Sequence, residues 1–281
     1  MSLPFRKLAL GAGGVKGILH IGALQELSKF QKLEFPDGIY GCSIGSVIGT
    51  YLSFGLPIDD KTVQLTKKYL SMDKVVGKPT FHDLTNAFSS KGLFNMDAFE
   101  RSLIDMFNEV DIDIESKKIG DTEMPLYIVA SNLTKGVPAV FSKDVPILDA
   151  LKCSCCIPGI FKPQELYGQI YIDGGMFTPS LTTLAPDAFH ISLTKQTKTK
   201  ITSKTIETIS PVQFMKDVYS MATHNFIVHQ KSETTLDLEY PNLHSDSDLE
   251  EFDIEDVLNT AQVLTRGFLR SKGFSEESPE V

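Results

Sequence analysis

Long apolar runs are missing from this sequence. No stretch of 18 or more apolar residues occurs in its 281 positions, so no membrane-spanning helix is expected. The segment Met1 to Lys7 lacks an apolar signal core and a small-residue cleavage site, and the apolar strand after it is needed by the fold, so a cytoplasmic protein is expected. Cysteine is scarce. Cys42 stands alone, and Cys153, Cys155 and Cys156 crowd one segment at spacings unlike a zinc knuckle or a C-x-x-C pair, so small packing residues are expected, not metal ligands. Positive charge is in deficit: 27 basic against 36 acidic residues leave a net charge of −9. That balance argues against nucleic-acid binding and against general attraction to anionic membranes, so any lipid contact must be local. Internal repeats and low-complexity tracts are absent too. What remains is an ordinary globular composition, 42% hydrophobic and 22% charged, long enough to bury one large α/β core.

The chemistry starts at Gly41-Cys42-Ser43-Ile44-Gly45. The short apolar run Gly38-Ile39-Tyr40 precedes it and Val47 to Leu52 follows, a pattern that reads as strand, sharp turn, helix. In that setting G-x-S-x-G lets the backbone turn tightly and lift the serine hydroxyl above the sheet edge. Ser43 would then sit at a helix N-terminus, where negative charge is favoured.

Upstream, the apolar run Lys7 to Leu10 enters the glycine-rich loop Gly11-Ala12-Gly13-Gly14-Val15-Lys16-Gly17, and Ile18 to Leu24 continue as a helix. Such a loop presents free backbone N–H donors, which suit a phosphate or the oxyanion of acyl transfer. A dinucleotide fingerprint would need glycine where Lys16 stands, although Glu34 or Asp37 lies at the right distance for its acid; a P-loop would need G-K-[ST]. Much later, the strand Gln169 to Ile172 ends in Asp173-Gly174-Gly175, which places a carboxylate at a sheet edge or simply marks a hairpin turn.

Taken in order, Gly13-Gly14-x-Lys16-Gly17, Gly41-x-Ser43-x-Gly45 and Asp173-Gly174-Gly175 resemble the motifs of the patatin-like phospholipases. Cys153 to Phe161 resembles the block those proteins carry before their catalytic aspartate, and Gly92-Leu93-Phe94 and Pro125 to Asn132 are similar to other family segments. The resemblance implies a three-layer α/β fold with a mostly parallel central sheet flanked by helices. Residues 1–194 would form the catalytic core and residues 195–281 a C-terminal helical extension packed on it. It also implies a dyad without histidine, in which Ser43 attacks and Asp173 is the base. The N–H groups of Gly13, Gly14 and Val15 would form the oxyanion hole, with Gly17, Gly41, Gly45, Gly174 and Gly175 shaping the loops. Lys16 replaces an arginine common in the family, which keeps the charge and loses the bidentate fork; it would hold the loop or favour an anionic substrate. The implied substrate is a phospholipid, lysophospholipid or acylglycerol, met at a membrane surface in passing, with no metal or other cofactor. The residues by themselves leave two alternatives open: a Ser-His-acid triad using His190, His224, His229 or His244, and an idle member that binds lipid or a partner.

Elsewhere, Asp59-Asp60 are expected to start a helix running through Tyr69-Leu70, and Asn95 to cap one from Met96 to about Val110. Residues 73–95 are poorly patterned and would cover the site's edge. Leu126 to Ala130 reads as a central strand with Ala139-Val140-Phe141 paired beside it, Pro146 as the start of a helix, and Ala188 to Leu193 as a strand. Ser154 reads as a structural hydroxyl or as one that helps line the site. Residues 195–204, with four lysines and no acid, read as a solvated loop or a headgroup contact. Pro211 should open a helix to about Leu236, and a last helix should bury Ile254, Val257, Leu258, Ala261, Leu264 and Phe268 on one face.

Overall fold

Strand β1 (Leu8–Leu10), helix α1 (Gly17–Leu27) and strand β2 (Ile39–Cys42) form the first unit, with β1 and β2 parallel and Leu10 beside Gly41. The computed structural model describes residues 5–76, 91–178, 180–193, 201–210, 214, 217, 218, 221, 232–241, 243 and 249–275. Helix α2 (Ile44–Ser53) leaves directly from β2. Asp59 then starts α3 (Asp60–Tyr69) through a reciprocal capping box with Thr62, which satisfies two otherwise orphaned N–H donors. Next come α4 (Met72–Val76), β3 (Gly92–Phe94) and α5 (Asp97–Asn108), whose first N–H is met by the Asn95 side-chain oxygen at 3.2 Å. The chain continues through β4 (Leu126–Asn132), β5 (Val137–Phe141), α6 (Ile147–Cys155), β6 (Gly159–Phe161), β7 (Gln164–Leu166), β8 (Gln169–Asp173) and β9 (Phe189–Leu193). Strand β10 (Thr235–Leu238) and helix α7 (Ile254–Ser271) complete the described elements.

The sheet is mostly parallel. Strands β10, β9, β1, β2 and β4 run side by side in one direction, and β5 closes the far edge antiparallel to β4. Strand β8 is the informative one. It pairs antiparallel with Ala130 to Asn132 of β4, where β5 already occupies the outer edge, so β8 lies on the edge that β2 uses lower down. Cys42 lies opposite Val129, and Asp173 lies opposite Ala130. Strands β2 and β8 therefore approach each other head-on along one edge of β4.

Helices cover one face. Their buried apolar residues join Leu8, Leu10, Ile39, Ile128, Phe189 and Leu236 in one large core. On the other face, Ala9, Cys42 and Val129 meet Leu181, Ala185 and Ala188 from the turn after β8. Helix α1 is apolar nearly all round and buried along its length except at Gln25, because the sheet covers one side and α7 the other. At their crossing, a Cβ on Gly22 would stand 2.9 Å from the Ala261 Cβ, so the glycine lets the two helices touch.

Two expectations change. Thr235 to Leu238 is a strand parallel to β9, not the end of a helix from Pro211, because its alternation places Leu236 and Leu238 in the core. In α7 the buried row is Val257, Ala261, Thr265 and Leu269, while Leu264 is exposed: close contact at Gly22 narrows the buried stripe to an i, i+4 row. Most of the expected 211–236 helix, residues 77–90 of the expected cover and residues 195–200 of the lysine loop lie outside the described residues.

Candidate active site

Ser43 sits between the end of β2 and the start of α2 with φ 54° and ψ −127°, a strained conformation for a residue with a side chain. Four bonds hold it there. Its N–H donates to Ser154 Oγ at 2.9 Å, Ser154 Oγ donates to the Val129 carbonyl at 2.6 Å, and the Ser43 carbonyl accepts from Ser46 N and Oγ at 2.8 and 2.6 Å. Ser154 is thus a structural hydroxyl that ties the serine turn to β4. The turn also needs its glycines: a Cβ on Gly45 would lie 2.2 Å from the Leu10 carbonyl oxygen, and one on Gly41 would lie 2.4 Å from Ser46 Cα.

Asp173 ends β8 and caps the short 3-10 turn Gly174–Met176, its Oδ1 accepting from Gly175 N at 2.8 Å. Its own N–H donates to the Cys156 carbonyl at 2.8 Å. The head-on meeting of β2 and β8 is tight. A Cβ on Gly174 would come within 2.3 Å of the Val129 oxygen and 2.8 Å of Cys42 Sγ. Ser131 locks the turn from beneath: its hydroxyl donates to the Asp173 carbonyl at 2.9 Å and accepts from Phe177 N at 3.1 Å. Ser43 and Asp173 are both buried, at 5% and 1% exposure, at the ends of the two strands that meet along β4.

Three thiols lie near the Asp173 carboxyl. Burial, then the Asp173 charge, pushes the Cys42, Cys155 and Cys156 thiols up, so they remain neutral and poor nucleophiles. The glycine loop packs beside the serine turn. Gly14 to Lys16 make a 3-10 turn that runs straight into α1, and Val15 is buried. Gly13 packs against Leu193, and a Cβ on Gly17 would strike Ile44 at 2.3 Å, so the loop is fitted to the first residue of α2. Lys16 is 2% exposed and its Nζ donates to the Leu193 carbonyl at 3.1 Å, which fastens the loop to the end of β9.

His20 was not singled out from the sequence, yet it braces the loop: Nε2 lies 2.9 Å from the Gly11 carbonyl oxygen. Because that oxygen can only accept, the proton is on Nε2. Burial and then the nearby Lys16 lower its pKa to about 4, against the rise given by the Gly11 hydrogen bond. His190 is not brought to the serine. It lies mid-strand beside Ala9 and Thr235, with its ring on the Ala185 carbonyl at 2.8 Å. His224, His229 and His244 lie outside the described residues. Ser131 gave no sequence signal beyond its place in the Pro125 to Asn132 segment.

Comparison with known proteins agrees with this architecture. The chain is 30% identical over 177 residues to an uncharacterised protein of Acanthamoeba polyphaga mimivirus, covering 60% of this chain and 58% of that one. It is 29% identical over 182 residues to a probable lipid hydrolase of Invertebrate iridescent virus 6, covering 62% and 60%. A lysophospholipase of Cryptococcus neoformans is 27% identical over 60% of this chain and 10% of its own length. The chain thus spans about three fifths or less of these curated relatives. Among solved structures, VipD from Legionella pneumophila has a like fold, with a TM-score of 0.53 at 14% identity over 96% of this chain and 67% of that one. Residues 8–185 match the family model described as patatin-like phospholipase, and since that match covers most of the chain, the protein belongs to the patatin-like phospholipase family.

Proposed function

We propose that the protein is a lipid acyl hydrolase in which Ser43 is the nucleophile and Asp173 its base. The observation that carries this reading is the head-on meeting of β2 and β8, which ends one strand in a strained serine and the other in a buried carboxylate on the same edge of β4. Asp173 takes the Ser43 proton as Oγ attacks the ester carbonyl, and the tetrahedral oxyanion is met by the N–H groups of Gly13, Gly14 and Val15. Collapse expels the alcohol portion, which regains the proton, and leaves an acyl-serine. Water, deprotonated by the same carboxylate, then releases the fatty acid and frees Ser43.

A carboxylate is a weak base for an alcohol, so the oxyanion donors must carry much of the barrier reduction. Each such donor contributes about 3 to 4 kcal/mol in acyl-transfer enzymes. Lys16 holds the donor loop through Leu193. The substrate class, a phospholipid, lysophospholipid or acylglycerol, follows from the probable lipid hydrolase and the lysophospholipase among the relatives. Among the described residues no helix is long and apolar enough to cross a membrane, and contact with lipid surfaces in this reading is passing.

A fluorophosphonate probe and a lipid panel read by mass spectrometry test this. Wild type should be labelled and should release fatty acid; Ser43→Ala and Asp173→Asn should lose turnover, and Ser43→Ala should also lose the label. Full esterase activity in either variant refutes the dyad, and a dead His190→Ala protein that still folds favours the triad.

A further inference from the structure

We propose that the tips of the β4–β5 and β7–β8 hairpins form the surface by which this protein docks on a lipid aggregate. The proposal rests on the hydrolase reading for its biological sense, but the docking itself is a separate physical event. Strand β4 runs past the serine turn: Cys42 is level with Val129, and the strand continues to Asn132 and the exposed turn that begins at Leu133. Four residues at the rise of an extended strand put Leu133 about 13 Å beyond the end of β2, on the side towards which the serine turn opens. The β7–β8 turn reaches the same place, because β8 is antiparallel to β4 and Leu133 N donates to the Ile170 carbonyl at 2.8 Å.

The two tips are apolar and wet. Leu133 is 44% exposed, Val137 46% and Tyr167 68%, and Phe177, held beside them by Ser131, is 38% exposed. Large apolar side chains gathered on one rim mark an interaction surface. Tyr167 occupies the first position of a two-residue turn, with φ 52° followed by Gly168 at 70°; this aims an amphipathic ring outward, the placement that suits a membrane–water boundary.

Charge selects the occupant. The chain carries −9 overall, yet residues 126–143 contain no acid and two lysines, and Lys135 sits exposed at the tip. With Glu165 of β7 as the acid facing them, the two lysines still leave the rim locally basic on an acidic molecule, which fits a lipid surface with anionic headgroups, where each lysine adds a modest local attraction. Strand addition by another protein is disfavoured, since Pro138 interrupts the edge strand β5. Docking here would set the serine turn facing the lipid, and Ser131 would join the rim to the acid, because the same hydroxyl binds both Phe177 N and the Asp173 carbonyl.

Sedimentation with vesicles of phosphatidylcholine and phosphatidylserine tests this without turnover, in the Ser43→Ala background. The Leu133→Ser/Tyr167→Ser protein should bind about tenfold more weakly than its parent, from the loss of two inserted apolar groups. Lys135→Glu should weaken binding to phosphatidylserine vesicles more than to neutral ones. With Ser43 restored, the double variant should hydrolyse a soluble short-chain ester at the wild-type rate, which also shows that it folds, while losing rate on vesicles. Equal pelleting of parent and variant, no pelleting of either, or loss of a dimer in place of vesicle binding would overturn the docking surface. If vesicle binding behaves as stated but no ester is cleaved by wild type, docking stands and the hydrolase reading falls.

Discussion

Single residues carry the precision of this site, and several act through what they exclude. Gly174 leaves no room for a methyl group between Val129 and Cys42, and Ser154 gives the Ser43 N–H a partner that α2 cannot provide. The motif residues around Ser43 and Asp173 were legible because glycine and carboxylate chemistry is local. Ser131 and His20 were not, since each acts on a carbonyl that only the fold brings near. His20 has a measurable consequence. Burial, with Lys16 nearby, holds it at about 4, so the folded state keeps it neutral while the unfolded chain titrates near its ordinary value of 6.5. Between those values the unfolded chain binds the extra proton, so stability is fully present above pH 6.5 and is lost as pH falls towards 4. The loss is worth about 3 kcal/mol for this side chain. His190, also lowered by burial, adds in the same direction. Urea midpoints at pH 7, 5.5 and 4.5 should fall steeply for wild type and less steeply for His20→Gln; equal slopes would show that the ring is not neutral and buried in solution.

At the scale of elements, the contact between α1 and α7 shows what a helix pair needs beyond an apolar stripe. Gly22 brings the backbones close, and Glu26, closed off from solvent, takes both ends of Arg266 at 2.6 and 3.0 Å with Lys29 at 2.8 Å. Burial pushes the Glu26 carboxyl up, but the hydrogen bonds from Arg266 and Lys29 outweigh it and hold it below its usual value. Removing Arg266 leaves a buried carboxylate with one partner. Because the arginine is itself 36% exposed, the cost is discounted from that of a fully buried pair, to about 2 kcal/mol. Arg6, paired with Asp37 where both are about half exposed, should leave stability nearly unchanged when replaced by alanine. Chemical denaturation of Arg266→Ala and Arg6→Ala checks the contrast. The sequence pattern placed α7 and its apolar side correctly but assigned Leu264 to the buried face, since periodicity reports which side is apolar and not how narrow the neighbour is.

Across the whole molecule, the parallel run from β10 to β4 depends on pairings far apart in sequence. Alternation and apolar runs made most individual strands legible, but the order of strands, and the way β8 takes over the edge that β2 leaves, are set by chain closure. The same long-range logic bears on the C-terminal region. Strand β10 extends the sheet beyond β9, and α7 covers the outer side of a helix whose Ile18, Leu19, Ile21, Leu24 and Leu27 are fully buried. A helix apolar on all sides cannot face water on one of them. We therefore expect residues 195–281 to be part of one cooperative unit with residues 1–194, not a separable appendage. The full chain should unfold in a single transition by circular dichroism and by tyrosine fluorescence, with coincident midpoints. A fragment ending at residue 194 should expose the outer side of α1 together with Phe5 and Phe189, which stack at 4.6 Å and are flanked by Phe274 and Phe268 of the C-terminal region. It should bind an apolar dye, lose its cooperative melt and aggregate. A soluble fragment with a sharp transition of its own would show that the core is complete without β10 and α7, and that the C-terminal region is an independent addition.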